Sequence, residues 1–258
     1  MKILVLIKQI LDPAGITVNR RRERIFTERA ERIINPADAG ALEAALQLQE
    51  SAGGEVIAIS LGPAEAEDAL REALALGADA AYLLSDAALA ATDEAGAARA
   101  LARAAERIGG YDLILAGAAA ADTGGAQVAG RLAELLDLPQ VGEAVGLELA
   151  GDGLIALRRW DGRLLRVQTP LPAVVALGLD APLPRLPHGA RIMDAYRRWT
   201  VTTWTSADLG LSAEELAPLV ESRGLQFPPA RELGVKISGA PAEVAAEIVA
   251  QLRARRLL

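Results

Sequence analysis

The sequence predicts an α/β fold: an open parallel sheet of five strands flanked by helices, with a small antiparallel meander and an extended C-terminal arm. Three observations carry this. Short apolar runs alternate with longer stretches of helical period over the first two-thirds of the chain. Two Asp-Gly pairs then separate apolar segments beyond residue 141. After Asp180 the period fades until one last helical stretch. The boundaries that follow are 1–180 for an α/β domain that includes the meander at 141–169, and 181–258 for a loop, an arm and a C-terminal helix.

Residues 3–7 (ILVLI) form a continuous apolar run, as a strand buried on both faces requires. Asn35-Pro36 opens the first helix, with Asn at the N-cap and Pro at the first helical position, and Leu42, Ala45, Leu46 and Gln49 follow at helical spacing. Residues 55–61 (EVIAISL) are the second strand, and 62–76 a helix stopped near Gly77. Residues 80–84 are the third strand, and 92–108 a helix with Leu101, Ala105 and Ile108 on one side. Residues 111–115 (YDLIL) are the fourth strand; a loop of small residues then leads to a helix with Val128, Leu132, Leu135 and Leu136 inward. Segments 143–149, 154–160 and 164–169, turned by Asp152-Gly153 and Asp161-Gly162, make the meander, and 172–177 returns to the sheet. Residues 182–226, punctuated by Pro and Arg, read as the arm; so long an irregular stretch points to a function or a partner. The tail 241–256 is a helix with Pro241 first, Glu243 and Glu247 towards its positive end and Arg253, Arg255 and Arg256 towards its negative end. Val244, Ala245, Ile248, Val249 and Leu252 give it an apolar stripe.

Composition removes whole classes of function. With 27 basic against 34 acidic residues among 258, the net charge is −7, which disfavours binding to a nucleic-acid duplex. Aromatics at 3% leave few platforms for stacking single-stranded bases. The absence of cysteine excludes disulfides, thiolate metal sites and thiol nucleophiles, and the single histidine, His188, leaves no second imidazole for zinc. The longest uncharged run, 167–179, is too short to span a bilayer, and Lys8 interrupts the apolar start before it could serve as a signal peptide. The expected location is the cytoplasm. Redox or group-transfer chemistry would have to come from a bound cofactor.

The candidate for phosphate binding is the run Gly117, Ala118, Ala119, Ala120, Ala121, Asp122, Thr123, Gly124, Gly125, Ala126, Gln127 and Val128, placed between the fourth strand and a helix. Phosphate needs unhindered backbone N–H groups at a positive helix end, and small residues allow that approach. The same residues also suit a plain strand-to-helix turn. Asp122 reads as the helix cap, since its charge opposes phosphate. Two other patterns are decoys: residues 151–156 match a dinucleotide fingerprint but lie in a hairpin turn, and no Gly-Lys-Ser/Thr end of a P-loop occurs. Residues 20–24 (RRRER) read as a solvated hairpin or loop, and His188 as a surface residue of the arm.

In order along the chain, KILVLIKQILD (2–12), NPAD (35–38), EVIAISLGP (55–63), REALALGAD (71–79), LILAGAAAADTGGAQVAG (113–130), LPAVVAL (171–177) and PRLPHGARIM (184–193) resemble the β subunit of electron-transfer flavoproteins over about the first 200 residues. The resemblance implies a sheet of the adenine-nucleotide α-hydrolase type. It implies a subunit that binds AMP, pairs with an FAD-bearing α subunit, and carries electrons from acyl-CoA or other flavin dehydrogenases to a quinone oxidoreductase. It implies an electron carrier without catalytic residues or a metal. By motif, the pocket would comprise Leu6, Asn35, Pro36, Ala37, Asp38, Leu61 and residues 117–128. Partner recognition would fall on Arg185, Leu186, Pro187, His188, Gly189, Ile192 and Met193. Departures from the family pattern are Ala118 and Ala119, where a basic residue and Gln are usual, Gly189-Ala190 in place of Leu-Pro, and a basic cluster reduced to Arg197-Arg198. Ala126-Gln127-Val128 and the C-terminal helix are similar to the electron-bifurcating branch, in which a second FAD takes the place of AMP and the complex uses NADH. A stand-alone adenine-nucleotide-binding protein of the stress type is the remaining alternative.

Overall fold

The computed structural model describes residues 1–221, 223–224, 227–229 and 234–258. Met1–Ser222 and Arg223–Leu258 are two compact units. The first begins with β1 (Lys2–Leu6), β2 (Gln9–Leu11), the exposed hairpin of β3 (Thr17–Asn19) and β4 (Arg24–Phe26), and β5 (Arg32–Ile34). Then follow α1 (Pro36–Ala52), β6 (Glu55–Leu61), α2 (Glu67–Leu76), β7 (Ala80–Leu84), α3 (Ala87–Ala90), α4 (Glu94–Ile108), β8 (Leu113–Gly117) and α5 (Val128–Leu135). The meander is β9 (Gln140–Ala150), β10 (Gly153–Trp160) and β11 (Arg163–Pro170), followed by β12 (Ala173–Leu177), α6 (Gly189–Arg197) and β13 (Val201–Trp204). The second unit carries α7 (Pro241–Ala254).

All five expected parallel strands form and pair in the order β12-β8-β1-β6-β7 within a sheet that runs β11-β10-β9-β12-β8-β1-β6-β7-β13. The meander does not stand beside this sheet but continues it. The first half of β9 pairs parallel with β12 and its second half antiparallel with β10, with register shifts on both sides around Glu143, whose φ is +53°. A bulge of this kind lets one strand serve two pairing modes. The arm also contains two elements without a sequence signal, α6 and β13; β13 pairs parallel with β7. Residues 222, 225 and 226 of that arm lie outside the described residues.

One face of the sheet packs Ile3, Val5 and Val56 against Leu42 and Leu46 of α1 and Leu70 and Leu74 of α2. The other packs Leu4, Ile57, Ile59 and Ile114 against Leu101 of α4 and Leu132 of α5. Winding therefore reverses between β1 and β8. The carboxyl ends of strands at such a switch point leave a crevice that neither neighbouring helix covers. No described helix is long and apolar enough to cross a membrane.

Candidate functional site

A cavity of about 1000 Å³ opens at that crevice, floored by Leu6, Ile59, Leu61 and Ala116 at the ends of β1, β6 and β8. Its walls come from the loop after β8, the first turns of α4 and α5, and the irregular segment Pro218, Leu219, Val220 and Glu221.

Buried polar side chains fix the crevice. Asn35 stands at the N-cap of α1, as expected, yet makes no side-chain cap. Its Nδ2 instead donates to the Ala119 carbonyl (3.0 Å) and its Oδ1 accepts from the Ala121 N–H (3.1 Å). The side chain is thus committed to holding the loop. Asp38 accepts from the Gly117 N–H (2.9 Å) and the Lys8 N–H (2.8 Å), tying the ends of β8 and β1 to the start of α1. Burial pushes its carboxyl up to about 6, against the opposing pull of these hydrogen bonds and of Lys8. Only glycine serves at 117, because a Cβ there would lie 2.2 Å from Asp38 Oδ1 and 2.8 Å from the Ala37 Cβ.

The loop differs from expectation in which groups it presents. Asp122 is not a helix cap: α5 begins six residues later with Gln127 at its N-cap, and Asp122 pairs with Lys8 Nζ at 2.8 Å. The ion pair offsets the charge that would oppose a phosphate. Gly124, at φ +68°, donates its N–H to the Ala120 carbonyl (2.8 Å), and Gly125 donates to Thr123 Oγ1 (3.3 Å). These two amides hold the loop's own shape. The first turn of α5 differs: Gln127 caps nothing, its Oε1 accepting from the Arg131 guanidinium (2.8 and 3.1 Å), and Gln127, Val128, Ala129 and Arg131 all line the cavity. Uncapped N–H groups at a positive helix end beside a guanidinium have the chemistry to hold an anion.

Of the expected pocket residues, Leu6, Asn35, Asp38, Leu61, Gly117, Ala118, Ala119, Ala120, Thr123, Gly124, Gly125, Ala126, Gln127 and Val128 line the cavity. Pro36, Ala37, Ala121 and Asp122 stand behind or beside it as supports. Sequence reasoning missed Lys8, Glu94, Arg131 and the 218–221 wall. Lys8 and Arg131 carried a signal, one just past a strand's carboxyl end and the other on the first turn of the following helix. The wall carried none, for it is held by distant partners. Asp93 caps α4 through Ala95 N–H (2.9 Å) and Gly96 N–H (3.1 Å), and its other oxygen accepts from Leu219 N–H (2.7 Å) and Val220 N–H (3.2 Å). Burial raises the Asp93 carboxyl, but these four donors prevail and hold it below its usual range.

The expected recognition residues divide. Arg185 is turned inward, its guanidinium on Glu43 (2.8 and 3.0 Å) and also paired with Glu50. His188 caps α6, its Nδ1 accepting from the Ala190 N–H at 3.3 Å, and Gly189 is the first residue of that helix. Pro187 is half-buried. Leu186, Ile192 and Met193 are exposed and form the outward apolar face of this region.

The electron transfer flavoprotein domain model matches residues 24–209. Electron transfer flavoprotein subunit beta of Thermoanaerobacterium thermosaccharolyticum is 40% identical over 84% of this chain and 83% of its own. The same-named protein of Bacillus subtilis is 36% identical over 98% of both. The caffeyl-CoA reductase-Etf complex subunit CarD of Acetobacterium woodii is 34% identical over the whole of both chains. Five parallel strands with a switch-point cavity, joined to these matches along nearly the full length, place the chain in the electron transfer flavoprotein β-subunit family, a family of electron transfer.

Proposed function

We propose that the chain is the β subunit of a heterodimeric electron-transfer flavoprotein, holding an adenine nucleotide in the switch-point cavity and helping to enclose the FAD of an α subunit. The observation that carries the reading is the pairing of an uncapped α5 N-terminus and Arg131 with an apolar floor of Leu6, Ile59 and Leu61. The donor set suits a phosphate and the floor suits a purine. Leu6 and Leu61 would flank the adenine, the first turn of α5 and Arg131 would hold the phosphate, and Asn35 and Asp38 would keep the loop in place. Flavin, when bound in the complex, supplies one- and two-electron chemistry. This chain's residues bind, orient and exclude water. Flavin dehydrogenases, acyl-CoA dehydrogenases among them, would donate electrons, and a quinone oxidoreductase would accept them. The outward Leu186, Ile192 and Met193 suit a docking surface for such partners.

AMP is the main reading for the cavity. A second reading places FAD there, in an NADH-using bifurcating complex. One observation favours it: the cavity lies at the top of the range of about 300–1,000 Å³ for small-molecule pockets. Denaturing the purified heterodimer distinguishes them, since AMP and FAD in equal amounts support the first and two FAD without AMP the second. In both, Gly124→Asp should empty this cavity, because it forces a side chain onto a φ of +68° and sets a carboxylate by the anion site. Full nucleotide content in that variant would show the loop to be only a turn.

A further inference from the structure

One cavity group is unused by the reading above. Glu94 opens α4 next to the capping Asp93, and its Oε2 is buried without a hydrogen-bond partner among the described residues. Its Oε1 lies so close to Gly125 that a Cβ there would sit 1.7 Å from it, and Thr123 Oγ1 is 3.2 Å from the same point. Glu94, Thr123 and Gly125 all line the cavity.

A carboxylate offers acceptors only. Buried without a donor it is costly, and a ligand O–H that draws the carboxylate round into the cavity relieves that cost. The same charge repels phosphate. The cavity lining therefore carries both signs, the Glu94 carboxylate beside Gly125 and, from Gln127 onward, the uncapped first turn of α5 with Arg131. A ligand satisfying both has its phosphate at α5 and hydroxyl donors one sugar away. An adenosine 5′-phosphate moiety has this shape, its ribose 2′- and 3′-hydroxyls standing on the opposite side of the sugar from the 5′ position.

We propose that Glu94 is the ribose-recognition residue of the cavity, accepting hydrogen bonds from the cis-diol of the adenosine moiety and so selecting ribonucleotides that carry no phosphate at the 2′ or 3′ position. The inference rests on the nucleotide reading, and holds for AMP and FAD alike because both contain that diol. It also gives Gly125 a purpose: a side chain there would displace the carboxylate from the wall.

The test uses the heterodimer with its cavity emptied by exchange and titrated calorimetrically with AMP, 2′-deoxy-AMP and adenosine 3′,5′-bisphosphate. The wild type should prefer AMP over 2′-deoxy-AMP by about 10- to 100-fold, the range for a hydrogen bond to a charged group. Glu94→Ala should bring that ratio close to one. Glu94→Gln, which keeps an acceptor but not the charge, should retain part of the preference while admitting the bisphosphate. Equal wild-type affinity for AMP and 2′-deoxy-AMP, or a ratio unchanged in Glu94→Ala, would overturn the proposal. A wild-type heterodimer that takes up no adenine nucleotide would overturn the nucleotide reading itself and this inference with it.

Discussion

The helices α4 and α7 are nearly equal in length, 15 and 14 residues, and opposite in fate. α4 buries a face of small residues, Ala95, Ala98, Ala102 and Ala105 around Leu101, and so lies close to the sheet. α7 buries nothing within its own unit, although its stripe is the richer in large aliphatics: Ile248 is 45% and Val249 38% exposed. In a chain that folds for itself the large aliphatics are usually those inside. The reversal teaches that α4 is made for this chain's own sheet and α7 for a surface its unit does not supply, which under the proposed function is the α subunit.

The largest expected effect breaks the comparison if it fails. Covering three aliphatic side chains of the α7 stripe contributes roughly 1.5–3 kcal/mol each, on the order of 5 kcal/mol in all. Deleting residues 234–258 should therefore weaken association with the α subunit by about a thousandfold or more. The remaining chain should melt at the same temperature and keep its nucleotide. Unchanged α affinity together with loss of the fold would place α7 in this chain's own core.

The complementary change is in α4. Leu101 is 6% exposed against the cluster of Leu4, Ile59 and Ile114. Leu101→Ala should cost about 3 kcal/mol, within the span for buried leucines, because it borders a cavity into which neighbours can relax. Ile248→Ala in α7 should leave the chain's own denaturant midpoint unmoved. Equal losses for the two would dissolve the distinction between the helices.

What was legible in the sequence follows the same division. Strands β1, β6, β7, β8 and β12 were readable because burial on both faces forces continuous apolar runs, and the meander because Asp-Gly turns declare themselves. β13 was not, for VTTW is short and gains its place from distant partners, pairing with β7 and setting Trp204 beneath Arg107 of α4. α6 was hidden for a related reason: its footing is Arg191, whose guanidinium donates to the Leu74 and Ala75 carbonyls at the end of α2, a contact across more than a hundred residues. At the cavity, the loop after β8 could be found from its small residues alone. The roles of Asn35 and Asp122 could not, since a capping propensity says nothing of the competing partners, Ala119, Ala121 and Lys8, that the fold brings in. The 218–221 wall is reached by the second oxygen of Asp93, through the Leu219 and Val220 N–H groups, while its first oxygen caps α4.

The smallest expected effect concerns Asp38, which marks the buried end of the comparison as α7 marks the exposed one. Its carboxyl is only 6% exposed, and burial raises it to about 6 from an ordinary value of 3.8. Raised in the native state, the group binds its proton more tightly there than in the unfolded chain. Between about pH 4 and 6 the native protein then holds more protons, so stability falls as pH rises through that window and levels off above it. A displacement of about two pH units corresponds to on the order of 3 kcal/mol. Asp38→Asn keeps the shape and removes the titration. Its amide can accept from only one of the Lys8 and Gly117 N–H groups, so the variant starts less stable. The reading is therefore the difference between wild type and variant in urea titrations at pH 4, 5, 6 and 7, in which other carboxylates cancel. The advantage of the wild type should shrink by 2–3 kcal/mol from pH 4 to pH 7, and equally so in the chain lacking residues 234–258. A difference independent of pH would return Asp38 to the ordinary carboxylate range, and the crevice would then be held by charged rather than desolvated groups.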